Sequence, residues 1–280
     1  MTRTIFFKAM SRMAGGALLT LSALFSPAPA SAAGDLLVAP TRVILDGRRG
    51  TEVILNNIGA EEATYRISLE LYRMNAEGRL DEVTPETAND KEKAALEIIR
   101  FAPRRVTLPP NQPQSIRIGV QGMENIPDGE YRAHMLFRAI PKADPVTQEQ
   151  DAGNGVKISL IPIYGVTIPI IVRKGELHGT AALANVHMAK DNEGPTVNFD
   201  LTRKGDRSVF GEIHISKAGV AEPIAIVKGL AIYPERESRL VSIPLTAEQA
   251  AQMHGDIKIS YIEAPEAGGG EIASVRQVLP

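Results

Sequence analysis

Three basic side chains, Arg132, His134 and Arg138, share one phase of the stretch Pro127–Pro141, PDGEYRAHMLFRAIP. They alternate with Tyr131, Ala133, Met135 and Phe137, and a strand sends successive side chains to opposite faces. One face of this segment is therefore core and the other carries positive charge. A cationic strand face is suited to holding an anion or a carboxylate. His134 has no nucleophile paired with it in the sequence, so a hydrogen-bonded structural histidine is its expected role. The other histidines, His178, His187, His214 and His254, complete no HExxH pair. No GxSxG elbow, P-loop or GxGxxG following a strand is present either. Gly268-Gly269-Gly270 lacks the lysine and following helix of a phosphate loop and reads as a hairpin turn. The expectation is a protein that is not an enzyme, with no catalytic residue, metal, cofactor or small-molecule substrate.

The elements that must position the cationic face lie in an exported chain. Arg3, Lys8 and Arg12, the apolar run Met13–Phe25 and Ala30-Ser31-Ala32 form a signal peptide over residues 1–33. The apolar run is shorter than the roughly 20 residues a spanning helix needs. The 280 residues contain no cysteine, which excludes thiolate metal sites, thiol nucleophiles and a disulfide framework. A formal net charge of −2 supplies no field that would recruit nucleic acid or an anionic membrane.

Extended, β-branched segments are expected at Asp35–Leu45, Thr51–Asn56, Ala63–Arg73, Arg105–Leu108, Ser115–Val120, Tyr131–Ala139 and Val156–Val172. Lys91–Ile99 is the helical stretch, inside a long connection from about Met74 that reads as a surface loop. After Arg173-Lys174-Gly175 the strand pattern restarts and runs to Leu279. The predicted fold is all-β, two immunoglobulin-like sandwiches in series, residues 34–174 and 175–280.

Four sets of residues carry a family resemblance. They are Pro40-Thr41-Arg42-Val43 with Asp46-Gly47, then Leu108-Pro109-Pro110 with Gln114–Ile118, then Asp128–Arg132 ending in Ala139-Ile140-Pro141, and Val166–Val172. In this order the chain resembles the periplasmic pilus chaperones of the PapD-like superfamily, two-domain proteins that escort pilin subunits to an outer-membrane usher. The resemblance implies a periplasmic protein whose partners are pilin or fimbrial subunits and an usher. A self-capping dimer of the free protein stays open, as does the alternative of a pilin-like structural or adhesive subunit.

Such a chaperone lends an edge strand to a subunit that lacks one, so main-chain hydrogen bonds give affinity and alternate apolar side chains fill the groove. The donor expected here is about 156–168, VKISLIPIYGVTI, with Ile158, Leu160, Pro162 and Tyr164 on one side. Pro162 favours an edge, because proline cannot donate to a ladder. By the resemblance, Arg42 anchors the client's C-terminal carboxylate. Where better-known members have a second anchoring lysine this chain has Pro169, a pattern closer to the archaic or alternative branch. Arg132 is the replacement, with His134 assisting. Arg117 and Glu130 match a charged contact that holds the two domains at their angle.

Overall fold

The computed structural model describes residues 36–141 and 163–280. The expected signal peptide and the donor positions Ile158, Leu160 and Pro162 lie outside the described residues. The first sandwich is built from β1 (Leu36–Ala39), β2 (Val43–Leu45), β3 (Thr51–Asn57), β4 (Ala63–Glu70), β5 (Tyr72–Met74), β6 (Leu80–Glu82), α1 (Asp90–Ile98), β7 (Ile99–Ala102), β8 (Arg105–Leu108), β9 (Pro113–Val120), β10 (Gly129–Ile140) and β11 (Gly165–Lys174). One sheet has the order β1-β3-β9-β7 and the other β2-β11-β10-β4-β8. Between them pack Val53, Leu55, Ile116 and Ile118 against Tyr65, Ile67, Met135, Phe137 and Ile170.

The expected strand Asp35–Leu45 is two strands in two sheets. The chain leaves the first sheet after Ala39, turns at Pro40 and Thr41, and joins β11 in the second sheet at Val43. Proline has no N–H to continue a ladder, so the strand must break there. Helix α1 starts one residue earlier than expected, at a capping box in which Asn89 accepts from the Glu92 N–H and the Glu92 carboxylate accepts from the Asn89 N–H.

The second sandwich comprises β12 (Gly179–Lys190), β13 (Pro195–Gly205), β14 (Val209–Lys217), β15 (Ala225–Ile232), β16 (Ser238–Pro244), the short helix α2 (Ala247–Gln252), β17 (Gly255–Glu263) and β18 (Gly270–Leu279). Its sheets are β12-β13-β16 and β15-β14-β17-β18, closed over Val197, Phe199, Leu201, Ile213, Ile215, Ile257 and Tyr261. Both units are thus two-layer all-β sandwiches.

The connection after Met74 departs from the expected surface loop. Strands β5 and β6 pair as a hairpin whose Met74 side chain is buried in the second sandwich's core. At its tip Gly78, with φ of +79°, lies so close to Arg239 that a Cβ would overlap the guanidinium. Left-handed backbone and close approach both call for glycine there. Hydrophobic burial across the two sandwiches, which no local pattern encodes, holds this segment down.

Candidate functional site: a cationic cleft between the sandwiches

The two faces of β10 are as the alternation requires, with Tyr131, Ala133, Met135 and Phe137 buried in the first core. The opposite face does not point to solvent along its whole length. From Glu130 to His134 it is covered, Glu130 and Arg132 by Ser208, Tyr233 and Glu235 of the second sandwich and His134 by Tyr72, whereas Arg138 is exposed. The register sets Glu130 opposite Arg173, Arg132 opposite Ile171 and His134 opposite Pro169. Ile171 is fully buried in the second core. Arg42 immediately precedes the parallel pairing of Val43 with Ile170, which brings it to the same face.

Arg42 is only 9% exposed. Its guanidinium carbon lies 3.7 Å from the centre of the Phe210 ring, and its Nη2 donates to the Tyr233 hydroxyl at 3.1 Å. Its Nε and Nη1 are buried with no hydrogen-bond partner. Arginine stays protonated, and a buried charge without an ionic partner is costly. Nothing anionic among the described residues pairs with it.

Arg132 also lies over Tyr233, its guanidinium carbon 3.6 Å from the ring centre against 5.6 Å for that of Arg42. Both of its terminal nitrogens donate to the Glu235 carboxylate, and Nη2 also donates to the Tyr72 carbonyl at 3.0 Å. Glu235 is further held by the Met74 N–H at 2.9 Å. The structure therefore brings the two expected anchoring arginines together beside one tyrosine, one ion-paired and one not. The three charges sum to one uncompensated positive charge at Arg42.

His134 is 2% exposed, and neither ring nitrogen has a partner. Its ring meets Tyr72 edge-on, centroids 5.1 Å apart and planes at 81°. Burial, then the Arg132 and Arg42 charges, pushes its pKa down to about 3. The expected hydrogen-bonded structural histidine is thus absent. A neutral imidazole with unused polar atoms borders the cleft instead.

Arg117 and Glu130 are not brought together. Arg117 is an exposed side chain of β9 and pairs across the sheet with Glu52 at 3.3 Å. Glu130 points the other way, where its Oε2 accepts from Arg173 Nε, the Ser208 N–H and the Ser208 hydroxyl, each at 3.0 Å. Ser208 belongs to the second sandwich, so Glu130 does bridge the two units, with Arg173 as its cation. Arg117 is in the wrong sheet for this contact, since β9 belongs to the sheet remote from the cleft.

Strand β11 supplies an open edge. It pairs with β10 along its length but with β2 only from Ile170 to Val172. The Ala139 N–H donates to the Tyr164 carbonyl at 2.9 Å, which makes 139/164 a hydrogen-bonded pair. In the antiparallel ladder the backbone groups of Val166 and Ile168 then face β10, and those of Gly165, Thr167 and Pro169 face away. No described strand pairs with that side. Pro169 is accommodated because the N–H it lacks would have pointed outward. Ile163 and Tyr164, each 48% exposed, precede this edge.

Sequence reasoning missed Phe210, Tyr233 and Glu235. They arrive from the second sandwich, and the one local signal is an aromatic-proline-acid turn, Tyr233-Pro234-Glu235, closing an apolar strand. Among the described residues, no group of three or more His, Asp or Glu is placed to hold a metal ion, and no helix is long and apolar enough to cross a membrane.

No family model matches the chain, and no curated protein matches it. Solved structures similar to it include the YadV chaperone, at 14% identity and a TM-score of 0.45 over 87% of this chain and 100% of that one. The CsuC–CsuE chaperone–tip subunit pre-assembly complex from archaic chaperone-usher Csu pili of Acinetobacter baumannii matches at 11% identity and a TM-score of 0.45, over 88% and 99%. The Pseudomonas aeruginosa CupB2 chaperone matches at 12% identity and a TM-score of 0.44, over 87% and 100%. At these values the function has to be argued from the cleft itself.

Proposed function

We propose that the chain is a non-catalytic periplasmic chaperone for pilin-type subunits, lending them the β11 edge and the segment before it and delivering them to an outer-membrane usher. The observation that carries this reading is Arg42, a buried cation with two unengaged nitrogens at the point where the β11 edge opens. A strand added along Gly165–Pro169 in the direction of β2 runs head-on towards Val43 and ends at Arg42. Only that parallel direction brings a C-terminal carboxylate to the guanidinium; the antiparallel one would bring an α-amino group, which it repels. Charge at one residue thus selects the direction of the guest strand.

Parity supports the donor assignment. Val166, Ile168 and Ile170 turn towards the first sandwich's core. An extended continuation would carry Tyr164, Pro162, Leu160 and Ile158 on that same side, beyond the chaperone's own core and into the guest's groove. Arg132, its charge balanced by Glu235, packs on the Tyr233 ring that holds Arg42, and neutral His134 borders the carboxylate as a polar neighbour.

The test is capture of subunits from periplasm by the parent, by Arg42→Ala and by the double variant Ile158→Asp/Leu160→Asp, with bound proteins identified by mass spectrometry. The parent should recover a small β-rich subunit and the double variant none. Arg42→Ala should lose about 1.5–3 kcal/mol of binding, on the order of 10- to 100-fold in affinity, with an unaltered circular dichroism spectrum. Undiminished capture by Arg42→Ala would remove the anchoring role. No subunit with any of them would favour a structural subunit of a surface appendage.

A further inference from the structure

Glu235 reaches out of the second sandwich, from the turn after β15, and touches two elements of the first. Its Oε1 accepts from Arg132 Nη2 and from the Met74 N–H, and its Oε2 accepts from Arg132 Nη1 at 3.2 Å. Both carboxylate oxygens are thereby committed, in the two-pronged geometry that suits guanidinium best. The Tyr233 ring lies against Arg132, and its hydroxyl takes up Arg42 Nη2. Two guanidinium groups beside one aromatic ring would, without Glu235, form a doubly charged pocket suited to a phosphate or another dianion. With Glu235 in place the uncompensated charge is that of Arg42 alone, although Arg132 Nε is also without a partner.

We propose that Glu235 is a resident carboxylate that sets the charge capacity of the cleft, neutralising Arg132 so that the site takes one monoanionic carboxylate at Arg42 and rejects dianions. The inference rests on the reading of Arg42 as a carboxylate anchor and makes that anchor selective. In a phosphate-containing periplasm a two-arginine pocket would be filled by inorganic phosphate, competing with the guest's terminus. A built-in carboxylate excludes the dianion by like-charge repulsion, while a single negative charge still balances Arg42. Glu235 is a specificity-determining residue on this account, although no guest atom needs to touch it.

The experiment compares the purified exported protein with Glu235→Gln and with the double variant Arg132→Met/Glu235→Met. The probes are inorganic phosphate, a short apolar peptide with a free C-terminal carboxylate, and the same peptide amidated, each titrated by calorimetry. The parent should prefer the free peptide over the amidated one and bind phosphate weakly. Glu235→Gln keeps the side-chain shape but not the charge and should bind phosphate at least tenfold tighter than the parent. The double variant removes the second cation together with its carboxylate and should lose the gain, binding phosphate within about threefold of the parent. Phosphate affinity of folded Glu235→Gln within twofold of the parent would overturn the proposal. So would a double variant that binds phosphate more than tenfold tighter than the parent, since the dianion would then not need Arg132; this arm stands even if Glu235→Gln does not fold. Failure of the parent to tell the free from the amidated peptide would instead remove the Arg42 reading, whatever Glu235→Gln does with phosphate.

Discussion

A buried arginine with two idle nitrogens and a buried histidine with two more are costly to hold in a folded protein, because each unpartnered polar atom has been taken out of water. Arg42 and His134 are such a pair, set on either side of β11 around the same cleft. His134 makes a prediction independent of any guest. Its pKa falls from the usual 6.5 to about 3 in the folded chain, so between these values the unfolded chain binds the proton and the folded chain does not. Stability contributed by the neutral imidazole is therefore complete above about pH 6.5 and is lost as pH falls towards 3, by up to about 4–5 kcal/mol at 1.36 kcal/mol per unit. His134→Leu removes that dependence along with two unsatisfied nitrogens. Urea unfolding at pH 7 and at pH 4 should give a parent that weakens more than the variant over this interval. Equal weakening would mean that His134 accepts its proton in the folded state.

At the scale of the element, the outward parity of β11 decides what the strand can lend. Thr167 turns its backbone groups to the open edge, whereas Val166 turns its own to β10 opposite Phe137. Thr167→Pro should leave the fold intact and reduce guest-peptide affinity by the worth of one hydrogen bond, about 0.5–1.5 kcal/mol or roughly two- to twelvefold. Val166→Pro removes a ladder bond inside the sheet, strands a buried carbonyl and should cost about 1–3 kcal/mol of stability. Thermal melts with peptide titration distinguish the two, and a Thr167→Pro variant that unfolds like Val166→Pro would place the open edge on the other parity. The alternation of β10 was legible because hydrophobic burial is periodic in a strand: Tyr131, Ala133, Met135 and Phe137 can be read straight off the chain. The same pattern could not say what covers Arg132 and His134, since period two separates faces without naming their neighbours. Tyr233 and Phe210 reach Arg42 from the second sandwich, far along the chain from it. For the same reason Arg173 as the partner of Glu130 was hidden, the two being cross-strand neighbours only once the register of β10 on β11 is fixed.

Across the whole molecule, the cleft exists because three unlike contacts hold the sandwiches against each other. Ile171 and Met74 give apolar burial in the second core, Glu235 reaches back to Met74 and Arg132, and Glu130 joins Arg173 to Ser208. Of these, the Glu130 contact is the most exposed to disruption, because its carboxylate side chain is 1% accessible and has one cationic partner. Arg173→Met strands that charge and should cost about 3–5 kcal/mol, whereas Arg173→Met/Glu130→Leu removes both members and should recover most of the loss. Denaturant unfolding of the two single variants and the double variant gives the coupling directly; additive losses would mean that the pair acts through packing alone. The same variants ask what the clamp is for. Tyr233 can steady Arg42 only while the sandwiches keep their angle, so Arg173→Met should also lose preference for a free over an amidated peptide terminus, and the double variant should regain it in step with stability. A variant that loses stability but keeps its peptide preference would place the rigidity of the anchor in the Arg42–Tyr233–Arg132 stack itself, with the clamp serving folding alone.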